Sequence, residues 1–192
     1  MSVADIERWE RKYASGNPNP AFTPDAILSE HAHLLDGQGM ALDVACGVGH
    51  NALFLARRGY DVIAVDGSLT GLRYCSAQLA TTPLPVQLVV ADLDQFVPPP
   101  KRFTLVLVVR FLSRALIPHL KRALLPGGLL IYHTFNRRRL LLNPDFNPDY
   151  LLEPGELRAM FADFEEIASN DMPAMRDPIS HFIGRRPNTN TS

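Results

Sequence analysis

Before Met40, apolar residues recur at helical spacing; from Met40 onward they gather into short unbroken runs. Val3, Ile6, Trp9 and Tyr13 form one stripe, which predicts an amphipathic helix over residues 3–13, stopped by the Gly-Asn-Pro-Asn-Pro stretch at 16–20. Thr23 followed by Pro24 reads as a cap and first helical residue, and Ile27, His31, Leu34 and Leu35 carry a second helix to Asp36-Gly37.

The later pattern alternates strands with helices. Strands are predicted at Met40–Ala45, Asp61–Val65, Val86–Ala91, Phe103–Val109 and Leu129–Thr134. Between them lie helices at His50–Arg58, closed by Gly59, at Ser68–Ala80 with Ser68 as cap, and at Ser113–Leu125, broken or begun anew near Pro118. Prolines 98–100 mark a loop, Leu125-Pro126-Gly127-Gly128 a turn, and Pro154–Phe161 a further helix. Two more strands, Phe164–Ala168 and Ile179–Arg185, follow. Apolar runs without alternation imply strands covered on both faces, as in the parallel sheet of an α/β domain.

Composition narrows the function classes. With 192 residues, 46% of them hydrophobic, the chain is long enough to bury a core without disulfides or metals. Lys plus Arg (19) nearly balance Asp plus Glu (20), so no basic field draws in nucleic acid. No signal-like or membrane-length apolar segment is evident, so a cytoplasmic protein with no membrane partner is expected. The two cysteines, Cys46 and Cys75, lie in no Cys-x-x-Cys spacing. His31 and His33 would point apart on a helix, so no metal is expected.

Candidate chemistry begins at Asp43-Val44-Ala45-Cys46-Gly47-Val48-Gly49, the turn from the first βα unit's strand into its helix. Glycines there let the backbone approach a nucleotide-like ligand. With Ala52 the spacing also satisfies Gly-x-Gly-x-x-Ala, a dinucleotide loop. Asp43 suits an ammonium group and would repel a pyrophosphate. Asp66, ending the second strand, is placed to accept hydrogen bonds from ribose hydroxyls. Asp92, after the third strand, is placed for an adenine amino group, with Leu93 packing on the ring. Carboxylates at three successive strand ends favour a cationic adenosyl amino acid over a dianionic dinucleotide.

On these residues the chain resembles the class I S-adenosylmethionine-dependent methyltransferases, and within them is similar to the tellurite-resistance methyltransferase (TehB-like) family. The resemblance rests on Asp43–Gly49 continued through His50-Asn51-Ala52-Leu53-Phe54-Leu55-Ala56-Arg57-Arg58-Gly59-Tyr60-Asp61-Val62. Trp9, Tyr13, Asp66, Ala91-Asp92-Leu93, Leu125–Gly128 and Pro154-Gly155-Glu156-Leu157 add to it, so that it covers residues 7–165. His50 stands where relatives often carry Arg, and Ala45 where Gly is usual.

The resemblance implies a Rossmann-like three-layer sandwich: a seven-stranded, mostly parallel sheet with an antiparallel last strand. Residues 1–36 would form N-terminal helices acting as a lid, 37–186 the methyltransferase domain and 187–192 a frayed tail. S-adenosylmethionine would be the cofactor and S-adenosylhomocysteine the product. Asp43, Gly47 and Gly49 would hold the methionine end, Asp66 the ribose and Asp92 the adenine. Ala45, Cys46, Asn51, Gly67, Ala91, Leu93 and Val109 would complete the lining.

On the acceptor side, Arg110, His133 and Tyr13 are the candidate catalytic residues, with Tyr132 beside them. His133 also reads as a core histidine, Arg110 as one half of a structural ion pair, and Tyr13 and Trp9 as core anchors. Arg137–Arg139 would attract an anionic acceptor or form a solvated face. Methyl transfer requires alignment above all, and a soft nucleophile such as a thiol or a tellurium or selenium oxyanion needs little base assistance. The expected partner is therefore a small-molecule methyl acceptor; nothing in the chain fixes an oligomeric state. Two other readings are an NAD-dependent oxidoreductase and a non-catalytic interaction protein on the same fold.

Overall fold

Strand formation follows the apolar runs closely. A computed structural model describes residues 3–16, 18–171 and 177–188, and the chain divides into two compact units, Met1–Val97 and Pro98–Ser192. The last residues of the predicted tail, 189–192, lie outside the described residues. No described helix is long and apolar enough to cross a membrane.

The first unit contains helix α1 (Val3–Ala14), short helix α2 (Ala26–Glu30), strand β1 (Met40–Val44), helix α3 (His50–Arg57), strand β2 (Asp61–Asp66), helix α4 (Leu69–Thr81) and strand β3 (Val86–Val90). Its strands are parallel in the order β3-β2-β1, with Met40 opposite Asp61 and Val62 opposite Val86. Leu42, Val44, Leu53, Leu55, Val62 and Val65 are buried between sheet and helices. As predicted, Ser68 caps α4, its Oγ accepting from the Gly71 N–H at 3.0 Å.

The second helix differs from its prediction. Asp25, not Thr23, is the cap, with Oδ1 accepting from the Ile27 N–H; α2 ends at Glu30 and gives way to a 3-10 turn at Ala32–Leu34. Thr23 is instead held in a loop by Asn19, whose side chain both accepts from the Thr23 N–H and donates to the Thr23 carbonyl. Asp is a stronger cap than Thr, which shifts the start.

The second unit contains β4 (Phe103–Val109), helix α5 (Ile117–Ala123), β5 (Leu124–Phe135), helix α6 (Glu156–Met160), β6 (Glu165–Ser169) and β7 (Ile179–Arg185), in the sheet order β4-β5-β7-β6. β4 and β5 are parallel; β7 runs antiparallel to both β5 and β6. The strands of the two units thus make the seven-stranded, mostly parallel Rossmann-like sheet with an antiparallel last strand. Phe103, Leu105, Leu107, Leu130, Phe161 and Phe182 are buried in this unit.

Two local predictions in this unit are corrected. Helix α5 starts at Ile117 with Pro118 in its first turn, so residues 113–116 are not helical; proline's fixed φ suits a helix start. The predicted Leu125–Gly128 turn lies inside β5 as an irregularity: Phe103 pairs with Leu124, but Leu105 pairs with Leu129. Gly127 adopts φ 75°, and its N–H donates to the Arg186 carbonyl, so the bulge is tied to the end of β7.

Candidate functional site

In the first unit, the carboxyl ends of three parallel strands gather most of the predicted binding residues, as an open α/β sheet requires. After β1 the chain turns sharply: Ala45 (φ 57°), Gly47 (φ 57°) and Gly49 (φ 80°) are all left-handed. The Cys46 N–H donates to the Val65 carbonyl at 3.1 Å, and the Gly49 N–H to the Cys46 carbonyl at 2.9 Å. Ala45 stands where Gly is usual, and its left-handed backbone supplies the reason for that usual Gly.

Asp66 ties this loop to β2. Its Oδ2 accepts from the Gly47 N–H at 2.7 Å and its Oδ1 from the Ser68 N–H at 2.8 Å. Burial pushes its pKa up, opposed by those two N–H donors. Asp43, 1% exposed, is pushed up to about 8 by burial and by the Asp66 charge, opposed by the Ala52 N–H. Its Oδ2 is buried without a hydrogen-bond partner. Among the described residues neither carboxylate has an ion-pair partner. With two buried acids side by side and one oxygen unpartnered, ionising both is costly, and a cation placed there would offset that cost.

The loop glycines meet protein side chains. A Cβ on Gly49 would lie 2.3 Å from Cys75 Sγ, and one on Gly47 2.6 Å from the Tyr13 hydroxyl. Tyr13 also lies against Gly71 and stacks on Trp9, with ring centroids 5.6 Å apart. Burial and the Asp66 charge push its phenol up, so it stays protonated and is no ready base. α1 is pinned at two further points: Glu10 accepts from the Thr70 N–H, and the Tyr74 hydroxyl donates to the Tyr13 carbonyl at 3.0 Å.

The remaining predicted residues of this unit divide. Gly67 and Leu93 are buried, and Ala91 is half-buried, its N–H donating to the Asp66 carbonyl. Asp92 is exposed, with Oδ1 accepting from the Asp94 N–H. Asn51 is buried and spends its side-chain oxygen on the Asp25 N–H, which anchors α2. Cys46 is 3% exposed and burial raises its thiol far above the ordinary value, so it serves as packing rather than as a nucleophile.

In the second unit, Arg110 follows β4 with φ 56°, a strained value for a residue with a side chain, and its N–H donates to the His133 carbonyl at 2.7 Å. Val109 is the register partner of His133. His133 pairs across β5 and β7 with His181, ring centroids 6.4 Å apart. Tyr132 points to the other face of β5, 1% exposed and 5.9 Å from the Phe161 ring. The arginine run forms a 3-10 turn at Arg137–Leu141, capped by Asn136. Among the described residues no cluster of His, Cys, Asp or Glu could hold a metal.

Residues 41–128 match the family described as a methyltransferase domain. Over that stretch the chain is similar to that domain. Its fold is that of class I: solved structures similar over most of its length include one from work on conversion of a disulfide bond into a thioacetal group in echinomycin biosynthesis (TM-score 0.71, 21% identity, 97% of this chain and 94% of that one). TehB from Haemophilus influenzae aligns with TM-score 0.70 at 16% identity, over 84% of this chain and 62% of that one. An S-adenosylmethionine-dependent methyltransferase from Mesorhizobium loti aligns with TM-score 0.66 at 17% identity, over 82% and 96%. Among curated sequences, Hemagglutinin 1 of Eikenella corrodens is 43% identical over 53 residues, 28% of this chain and 18% of that protein's length.

Several residues that shape the fold were not singled out from the sequence. Glu10 and Tyr74 dock α1, and Cys75 sits under the loop helix; each acts across a sequence separation that no short motif spans. Arg114 donates to both oxygens of Glu156 and to the Asp149 and Leu151 carbonyls, closing the segment after β5. Asp171, 1% exposed, accepts from the N–H groups of Gly155, Leu157 and Arg158, the start of α6. The sequence signal for that pair was the Pro154–Leu157 motif, whose partners lie elsewhere.

Proposed function

We propose that this chain is a methyltransferase that uses S-adenosylmethionine to methylate a small molecule. The observation that carries this reading is the pair of buried acids, Asp43 with its unpartnered Oδ2 and Asp66, around the left-handed loop. A cationic amino-acid ligand relieves that arrangement, whereas the pyrophosphate of NAD adds negative charge to it. When bound, S-adenosylmethionine supplies a methyl carbon activated by its sulfonium and leaves as S-adenosylhomocysteine.

The residues of this chain then bind and orient. Asp43 receives the ammonium group, with the Gly47 and Gly49 backbone beside it. Asp66 retains acceptor capacity beyond its two backbone bonds and takes the ribose hydroxyls; Asp92 and Leu93 serve the adenine. Ala45, Cys46, Gly67 and Ala91 line the cofactor by packing, and Asn51 supports the loop helix from behind. Residues 1–36 act as the cover of this site, with Tyr13 over Gly47 as its inner surface. Arg110 and His133 are the acceptor-side groups. A thiol or a tellurium or selenium oxyanion is a fitting acceptor because a soft nucleophile requires alignment more than a base.

The test is a thermal shift with S-adenosylhomocysteine, S-adenosylmethionine and NAD, since a ligand that binds only the native state raises Tm with concentration. Stabilisation by the two adenosyl amino acids and not by NAD is expected. Stabilisation by NAD alone would replace this reading with an oxidoreductase, and a flat response to all three would leave an interaction protein on a methyltransferase fold.

A further inference from the structure

The three consecutive arginines after β5 are not equivalent. Arg137 is neutralised by Glu153, with Nε 2.6 Å from Oε1, and both side chains are about half exposed. Arg139 is treated differently by the fold. Its guanidinium lies over the Phe135 ring, 4.8 Å from the centroid, and 6.0 Å from the centroid of Phe146. The two rings meet edge to face, 5.5 Å apart. Its Nε is buried without a hydrogen-bond partner, and among the described residues its guanidinium makes no ion pair. A half-buried cation held by two aromatic faces, with donors left over, is a costly arrangement unless an anion completes it.

The surroundings are those of a ligand end of the sheet. Phe135 is the last residue of β5, so Arg139 follows a strand's carboxyl end, where open α/β sheets take their ligands. Two residues back, on the same face of β5, stands His133, and opposite it on β7 stands His181. The Arg110 backbone joins the same edge through the His133 carbonyl. The segment bearing Arg139 is fastened at both ends. Asn136 donates to Ser180 and to the Asp177 carbonyl, and Arg114 grips the Asp149 and Leu151 carbonyls.

We infer that Arg139 binds a carboxylate carried by the methyl acceptor, with Phe135 and Phe146 packing against the acceptor's apolar body. Guanidinium presents parallel N–H donors that match a carboxylate edge, and the flat rings favour an organic molecule over a fully hydrated inorganic oxyanion. Arg139 is thus a specificity residue, and of the acceptors proposed above it selects the organic one, a small acid with an aromatic or alicyclic body, over the inorganic oxyanion. This rests on the methyltransferase reading for its purpose, but not for its test.

The test is an NMR titration of the full chain, without cofactor, using benzoate, neutral benzamide and sodium selenite, on the wild type and on Arg139→Met, Arg139→Lys and Arg137→Met. Saturable benzoate binding is expected, at least tenfold weaker in Arg139→Met, partly restored in Arg139→Lys and within twofold of wild type in Arg137→Met. Benzamide and selenite are expected to bind at least tenfold more weakly than benzoate. Absence of benzoate binding, equal binding of benzamide, or an unchanged Arg139→Met affinity would each overturn the inference; selenite binding as tightly as benzoate would overturn its organic part. A Tm for each variant identifies any that fails to fold, and the benzamide comparison on the wild type stands without them. Since no cofactor is present, failure here leaves the thermal-shift result untouched, and the reverse holds.

Discussion

The Asp66 carboxylate accepts a 2.7 Å hydrogen bond from the Gly47 N–H, joining the end of β2 to the loop after β1. The residue proposed to hold the ribose is therefore also a structural strut of the loop proposed to hold the methionine end. Asp66→Ala leaves the buried Gly47 and Ser68 N–H groups without acceptors, so a loss of about 2–4 kcal/mol is expected with no ligand present. Denaturant unfolding measures that loss, and calorimetry with S-adenosylhomocysteine measures the affinity separately. A stability unchanged from wild type would contradict the strut.

Asp43 predicts an unusual pH dependence. Its pKa in the folded chain, about 8, lies above the ordinary value of 3.8. The folded state therefore holds a proton that the unfolded state has released between those values. Its contribution is fully present below the ordinary value and is lost as pH rises through 8, by up to about 1.4 kcal/mol per pH unit. Asp43→Asn mimics the protonated side chain, so its Tm is expected to fall less than wild type between pH 5 and 8.5. Parallel Tm profiles for the two proteins would refute this.

A cationic ligand at Asp43 favours the ionised carboxylate. Binding of S-adenosylhomocysteine, which keeps the ammonium group, should then release a proton near neutral pH and tighten as pH approaches 8. Calorimetry in buffers of different ionisation enthalpy reads the proton count; no buffer dependence at pH 7 would separate Asp43 from the ligand's ammonium.

Ala45 holds a left-handed backbone at φ 57°, which costs an L-residue with a Cβ about 1 kcal/mol. Ala45→Gly is expected to raise Tm by about 2–4 °C, and Ala45→Val to lower it. A lower Tm for the glycine variant would show that the alanine methyl's packing outweighs the strain.

Arg114 closes the segment that carries Arg139. Its hydrogen bonds to Glu156 hold that carboxyl below the ordinary carboxylate range, against the opposing effect of partial burial. Arg114→Met is expected to speed amide hydrogen exchange of residues 148–157 by at least tenfold while leaving the amides of β1 unchanged. Protection retained at Leu151 and Glu156 would show that the other fastenings suffice.

Much of this was legible in the chain itself. Unbroken apolar runs marked β1 to β5, Ser68 announced the start of α4, and the spacing of Asp43, Gly47, Gly49 and Asp66 marked the loop, because strand period, caps and left-handed turns are properties of a few adjacent residues. Where neighbours competed locally, as Asp25 did with Thr23, only the boundary moved. What the tertiary structure alone decided is which groups are satisfied. It spent Asn51 on Asp25, laid Tyr13 on Gly47, left Asp43 Oδ2 without a donor and gave Arg137 a carboxylate while denying one to Arg139. Partnership and burial arise between residues distant in sequence, so three arginines that read alike in the sequence become distinct only when the chain brings Glu153, Phe135 and Phe146 around them.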